Sequence, residues 1–289
     1  MTGTTATRTA PAAAGTAAQA PALGTAAQAP ALGTAAQAPT GAGVAAAVPA
    51  AVAVDLGSGC VQLWASQRGV VQAPTGDFFG SAGVLVRRGR ITDAPGCLNL
   101  LSRLKERYPE PLTDVGVVVA CRPVNATEAD EYVLRRLVTA AFEPARVMLI
   151  DTVRAAAVGA GAAAGALIIA DIGAQLTELA VLDRGIVVAA RNLDIGTRDI
   201  ARGAGIGLLV DVVVRNLTIL REDPAVRQVA EAALARGMVL VGDGAAHPGL
   251  PSRLSVALRM PVHCAASPRT AAVNGAGLAA MAMSRHRGT

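Results

Sequence analysis

Two short segments of this sequence end an apolar run in an aspartate with a glycine two positions later. One reads Asp55-Leu56-Gly57-Ser58-Gly59-Cys60, the other Asp171-Ile172-Gly173-Ala174-Gln175. Glycines let a backbone approach an anion closely, and successive N–H groups can then point at phosphate oxygens. An aspartate at a strand end can hold Mg²⁺, directly or through water. A single Asp-x-Gly-Ser-Gly turn is equally an ordinary hairpin turn. Two facing copies could clamp one phosphate chain from both sides.

The copies belong to an internal repeat. V-A-V-D-L-G-S-G-C-V-Q-L-W-A-S-Q-R-G-V-V starts at Val52, and its echo I-I-A-D-I-G-A-Q-L-T-E-L-A-V-L-D-R-G-I-V starts at Ile168. Asp55 and Asp171, Gly57 and Gly173, Arg68 and Arg184, and Gly69 and Gly185 all stand 116 positions apart. A second block, R-A-A-A-V-G-A-G from Arg154, is echoed from Arg269 at an offset of 115. Two blocks at nearly one offset predict two similarly folded halves.

Each half reads as a buried strand ending in Asp-x-Gly, a tight turn, and a second strand closing at an Arg-Gly turn. Another apolar strand follows (Val115 to Ala120, Met238 to Val241), then an amphipathic helix. A short strand (Val147 to Ile150, Pro261 to Ala265) leads into an Ala-rich helix. The apolar run Ala155 to Ala170 is mostly Ala and Gly and falls short of a membrane span. It reads as a buried helix entering a buried strand. The pattern is an α/β fold of two halves with a ligand cleft between them. Residues 1–48 form a low-complexity segment with a nine-residue G-T-A-A-Q-A-P-A-L unit starting at Gly15 and Gly24. Periodic prolines and the lack of anything to bury predict a disordered tail there.

Composition narrows the chemistry. Aromatics are 2% of 289 residues, so the core must come from Val, Leu, Ile and Ala. The net charge of +5 rests almost wholly on scattered arginines, Lys105 being the only lysine. No stretch forms a basic tail, and no nucleic-acid partner is expected. Cys60, Cys97, Cys121 and Cys264 lack metal-ligand or disulfide-framework spacing, and reduced thiols are expected. His247, His263 and His286 also lack ligand spacing, while Trp64, Phe78 and Phe79 read as core or loop anchors. Over Thr127 to Phe142 the acids come first and the arginines later, as a helix dipole prefers.

The order of motifs resembles the actin, sugar kinase and DnaK-type chaperone superfamily, and most closely the MreB/Mbl bacterial actins. D-L-G-S-G-C at Asp55 resembles the first phosphate loop, and A-D-I-G-A-Q-L-T-E-L-A-V-L at Ala170 the second. M-L-I-D-T-V-R-A-A-A-V-G-A-G from Met148 resembles the segment connecting the halves. G-M-V-L-V-G-D-G-A from Gly237 resembles the adenosine loop, and P-V-H-C-A-A-S-P-R-T-A-A-V-N-G-A-G the C-terminal run. The resemblance spans roughly residues 50 to 285. It implies duplicated actin-like (ribonuclease-H-like) halves around a nucleotide cleft: residues 49–152 with 270–285, and residues 153–269. ATP or ADP with Mg²⁺ would be held by Gly57, Ser58, Gly59, Cys60, Gly173, Ala174, Gln175, Thr177, Gly242, Asp243, Gly244 and Ala245, with the metal at Asp55 and Asp171. The implied role is cytoskeletal, in cell-shape or envelope-growth machinery. Its partners would be other copies, a full-length actin-like relative, or envelope-synthesis proteins, in the cytoplasm near the inner membrane face.

Departures from the family pattern set further expectations. Ala174, Gln175 and Leu176 stand where these bacterial actins have Gly, Gly and Thr, so phosphate approach should be crowded. Thr177 and Glu178 match. Asp151, Thr152 and Val153 replace Glu-Glu-Pro, leaving Asp151 as the catalytic candidate with a carboxylate one methylene shorter. Asp243 replaces a glycine and adds negative charge near the nucleotide. Both small subdomains are expected to be trimmed or absent, since only 36 residues separate Ile200 from Gly237. Weak nucleotide binding with little or no hydrolysis follows, as does an alternative role as a non-polymerising adaptor or filament cap. No sugar-binding insertion favours a phosphotransferase.

Overall fold

The computed structural model describes residues 49–75 and 84–285. The repeat tail, Phe78, Phe79 and His286 lie outside the described residues.

The first half opens with a meander, β1 (Ala50–Leu56), β2 (Cys60–Ala65) and β3 (Gly69–Pro74). A two-stranded hairpin, β4 (Val86–Arg87) and β5 (Arg90–Ile91), and helix α1 (Ala94–Lys105) lead to β6 (Val115–Arg122). Helix α2 (Glu128–Phe142), β7 (Arg146–Asp151) and α3 (Thr152–Gly159) complete the run. The second half repeats it with β8 (Ala166–Ile172), β9 (Thr177–Asp183) and β10 (Ile186–Leu193). A short turn α4 (Thr197–Asp199), α5 (Gly205–Glu222) and α6 (Arg227–Arg236) precede β11 (Met238–Val241), α7 (Leu250–Leu258), β12 (Val262–Cys264) and α8 (Ala271–Arg285). The sheet orders are β3-β2-β1-β6-β7 and β10-β9-β8-β11-β12. In both, three antiparallel strands are followed by two parallel ones. The repeat in the sequence is therefore a repeat of sheet topology.

Period-two alternation explains the layers. Val52, Val54, Val118 and Ala120 face α1 and α2, joining Leu100, Leu101, Leu104, Leu134 and Leu137. Ala51, Ala53, Val117 and Val119 face the other way, into a core shared with Leu167, Ile169 and Leu182 of the second sheet. That shared core holds α3 and α8. Ile168, Ala170 and Ile172 point outward to Leu209, Val213, Leu217, Ala230 and Leu254 of α5, α6 and α7. The result is helix, sheet, helix pair, sheet, helix. Strand β6, with a parallel neighbour on each side, is buried along nearly its whole length, as expected of a parallel strand covered on both faces.

Small residues make the middle layer possible. A Cβ on Gly159 or Gly275 would collide with the backbone of Ala271 or Ala155, so α3 and α8 pack almost backbone to backbone. A Cβ on Gly277 would strike the Trp64 ring, which anchors β2 on α8. At the tip of the β9–β10 hairpin, Arg184 (φ 47°) and Gly185 (φ 75°) are both left-handed, the backbone of a type I′ turn.

The shortened regions are also visible. Between β10 and β11 the described residues are helical after the entry turn, and α5 and α6 lie directly on the second sheet. By length and apolar composition the stretch Thr197–Glu222 could cross a membrane, yet Leu209, Val213 and Leu217 are spent in the core. Between β3 and α1 the described residues form only the β4–β5 hairpin. All four cysteines are free thiols.

Candidate functional site

The alternation that builds the shared core also aims the chemistry. Asp55 continues the parity of Ala51 and Ala53, and Asp171 that of Leu167 and Ile169. Both carboxylates therefore leave their sheets on the faces turned toward the other half, at the carboxyl ends of the first strands. Gln62 lies opposite Asp55 in the β1–β2 register, and Glu178 lies opposite Asp171 in β8–β9. Together they form the floor of a cleft of about 430 Å³. A volume of that size suits a small ligand.

The two turns beside these aspartates close identically. Gly57 N donates to Cys60 O (3.0 Å), and Gly173 N donates to Leu176 O (2.9 Å). Thr75 braces the first turn, its hydroxyl donating to Ser58 O (2.6 Å) and its amide to Gly59 O (3.1 Å). The second turn is braced by the chain entering α4, where Thr197 N donates to Gly173 O and Arg198 N to Ala174 O (3.0 and 2.8 Å).

Burial and like charges raise the carboxyls in the floor. Burial pushes Asp55 up to about 6. Asp171 is pushed to about 7 by burial first and then by the charges of Asp55 and Asp243. Glu178 is nearly inaccessible (4%) and reaches about 8, from burial first and then Asp171. It also accepts a hydrogen bond from Val124 N (2.8 Å), so a second-half carboxyl is tied to the first-half backbone. Gln62 makes the matching tie, Nε2 donating to the carbonyl of Arg269 (2.9 Å) and to Gln72 Oε1 (3.1 Å). Its own Oε1 has no hydrogen-bond partner among the described residues.

Most of the expected site residues meet in this cleft. Asp55, Gly57, Ser58, Gly59, Cys60, Asp171, Gly173, Ala174, Gly242 and Asp243 line it. Four others do not line it. Thr177 is fully buried and donates to Ile195 O (2.8 Å), which holds the end of β10 in place. Gly244 packs on Ile172 and Leu250. Ala245 turns its carbonyl to the Cys264 thiol (3.7 Å). Gln175 is half-buried outside the lining, so crowding at the second loop comes from Ala174, whose Cβ lies 2.8 Å from where a Cβ on Gly59 would sit. Asp151 is also outside the lining. Its carboxylate pairs with Arg122 (3.0 Å), which in turn pairs with Glu131 (3.2 Å) of α2.

Sequence reasoning missed Gln62, Arg122, Glu178 and Arg269 as cleft groups. The signal for the first and third was available, since Gln62 and Glu178 stand at the same 116-residue offset as the two aspartates. Arg122 and Arg269 carry no motif, and only the packing brings them in.

A magnesium-bound nucleotide can be tested against these groups. Two half-buried aspartates facing one another suit a hard cation that keeps part of its water shell. Among the described residues, no group of three or more His, Cys, Asp or Glu forms a ready-made metal cage. Phosphate would find the cleft less welcoming. Asp243 and Ala174 both press toward Gly59, and Arg122 and Arg269 are engaged by carboxylates.

The MreB/Mbl protein family model matches residues 85–203, which include the connecting segment and the second phosphate loop but neither the first loop nor the adenosine loop. Among solved structures, the chain is similar to MreB5 of Spiroplasma citri bound to AMPPNP (TM-score 0.70, 16% identity, 83% of this chain and 98% of that one). The ADP-bound form of MreB5 gives a TM-score of 0.67 over the same coverage. The MamK double helical filament subunit (TM-score 0.66, 15% identity) matches 81% of this chain and 99% of its own. The ethanolamine utilization protein EutJ from Carboxydothermus hydrogenoformans (TM-score 0.57, 18% identity) matches 80% and 89%. No curated protein matches by sequence. The fold is actin-like, and the resemblance to MreB/Mbl stands.

Proposed function

We propose that this chain is an MreB-like cytoskeletal protein that binds ADP or ATP with Mg²⁺ weakly and hydrolyses ATP little or not at all. The observation that carries the reading is the facing pair Asp55 and Asp171, set by matching sheets across one cleft whose phosphate loops have drifted. Asp55 and Asp171 would hold the metal, Gly57 to Cys60 and Gly173 to Ala174 would flank the phosphates, and Gly242 would border the nucleoside, with the Asp243 carboxylate turned toward the first phosphate loop. Bound magnesium would neutralise phosphate charge and fix the chain's orientation. Slow turnover is expected because the Asp151 carboxylate, the candidate for positioning water, is held by Arg122 outside the cleft lining. MreB5 has been crystallised with ADP and with AMPPNP, which supports nucleotide as the ligand class.

Self-association is proposed on the strength of the MamK filament, with a role in cell shape or envelope growth near the inner membrane face. A second reading has its own support. The described residues at both small-subdomain positions reduce to a hairpin and two sheet-bound helices, surfaces suited to capping or decorating a relative's filament. Calorimetry with Mg²⁺-ATP and Mg²⁺-ADP, together with phosphate release, tests the nucleotide reading. Micromolar ATP binding with brisk turnover contradicts it. Co-sedimentation separates the two roles: pelleting alone indicates a filament subunit, and pelleting only with preformed actin-like polymer indicates an adaptor.

A further inference from the structure

At Gly242 (φ 77°) the chain turns against Asp171 and Ile172, and the next residue, Asp243, enters the cleft. One carboxylate oxygen of Asp243, Oδ2, lies 3.4 Å from where a Cβ on Gly59 would sit. The other, Oδ1, faces Arg269 Nε at 3.3 Å. Arg269 is placed there by its own main-chain carbonyl, which accepts from the buried Gln62 amide. Arg269, itself anchored by Gln62, thus holds one carboxylate beside the first phosphate loop. Its charge contributes to raising both Cys60 and Asp171. The cations that line the cleft, Arg122 and Arg269, are both engaged by carboxylates, and Arg269 faces Oδ1 of Asp243 itself, so the pair offers phosphate little free positive charge while Asp243 is present.

We propose that Asp243 is a specificity-determining residue, a resident anion that sets the cleft against highly charged phosphate chains and makes it favour a nucleoside diphosphate over a triphosphate. The proposal rests on the nucleotide reading above and adds a rank order to it. A fixed carboxylate repels each added phosphate charge at short range in a partly dehydrated cleft, where screening is weak. A neutral nucleoside is indifferent to it.

The full chain, Asp243→Asn and Asp243→Gly are titrated calorimetrically with Mg²⁺-ATP, Mg²⁺-ADP and adenosine, with circular dichroism confirming that each variant is folded. Asparagine keeps the shape and removes the charge, and glycine removes both. The expected result is about tenfold tighter ATP binding in either variant, a smaller gain for ADP, and no change for adenosine. An unchanged ATP-to-ADP ratio in folded variants overturns the proposal while leaving the nucleotide reading intact. An equal gain for adenosine also overturns it, because the side chain then acts by bulk. If no ligand binds to any form, the proposal and the nucleotide reading fall together.

Discussion

The turns after Asp55 and Asp171 share one frame and differ in what fills it. Each is closed by the same glycine amide bond, each sits at the end of a first strand, and each places a polar side chain opposite its aspartate. Yet Gly59 of the first turn corresponds by offset to Gln175 of the second, Ser58 to Ala174, and Gln62 to Glu178. The frame is fixed by ladder hydrogen bonds and period-two burial, so it survives side-chain change. The turn's chemistry depends on single atoms, a missing Cβ or one hydroxyl, and drifts while the sheet stays whole. Side chains in such a turn can therefore change without disturbing the sheet that carries it.

The largest effect is expected where the halves stop being separable. Gly275→Leu drives a side chain into the α3 backbone at Ala155 and Gly159. A cost above about 3 kcal/mol is expected, since overpacking against backbone has no rotamer to escape into. Chemical denaturation should show both sheets failing together; a modest shift in midpoint with an unchanged slope would mean that the middle layer can yield.

The next test exchanges the unlike partners of the two aspartates. Asp55, Asp171 and Glu178 all titrate above their ordinary values, at about 6, 7 and 8 against 3.8, 3.8 and 4.5. The folded state therefore keeps protons that the unfolded chain releases. Their contribution is complete below about pH 4 and is lost as pH rises toward about 8, at on the order of 1.4 kcal/mol per pH unit for each group still titrating. Glu178→Gln should flatten the fall in melting temperature between pH 5 and pH 8, and Gln62→Glu should steepen it. A parent chain whose melting temperature rises over that range would refute the account. Millimolar Mg²⁺ should recover part of the loss at pH 8 if the aspartates hold the cation.

How much of this was legible beforehand follows from what each feature depends on. The repeat, the strands at Val115 and Met238, the helix capped at Thr127 and the free cysteines depend on local pattern and on burial with a short period, which a sequence displays. The expected one or two helices between Ile200 and Gly237 are α5 and α6. Site membership was less legible. Thr177 matches the family motif but is drawn into the core by Ile195, and Gly244 is kept for packing on Ile172. A motif records that a residue type is needed and leaves open which neighbour needs it. Arg122 and Arg269 enter the cleft through tertiary contacts that no spacing announces.

The contact between the two turns is open to a double-mutant cycle. Gly59→Ala would set its Cβ 2.8 Å from that of Ala174, so one loop must shift, at a cost of about 1 kcal/mol or more. In an Ala174→Gly background the same change should be nearly free, giving a coupling of similar size. Ala174→Gly alone should tighten Mg²⁺-nucleotide binding severalfold by reopening the space before Gly59. Additive stabilities would show that the turns do not touch in solution.

The smallest expected effect is the most discriminating for the second turn. By sequence, Gln175 is the obvious obstruction, a long side chain where the bacterial actins have glycine. In the structure it stands outside the cleft lining, while the short Ala174 meets Gly59. Gln175→Gly should therefore leave nucleotide affinity within about twofold of the parent, since it adds no room where phosphate must fit. It should also cost roughly 0.5–1 kcal/mol of stability through the added freedom of the unfolded chain. An affinity gain equal to that of Ala174→Gly would put the blockage at Gln175 after all and place the Cβ of Ala174 outside the phosphate path.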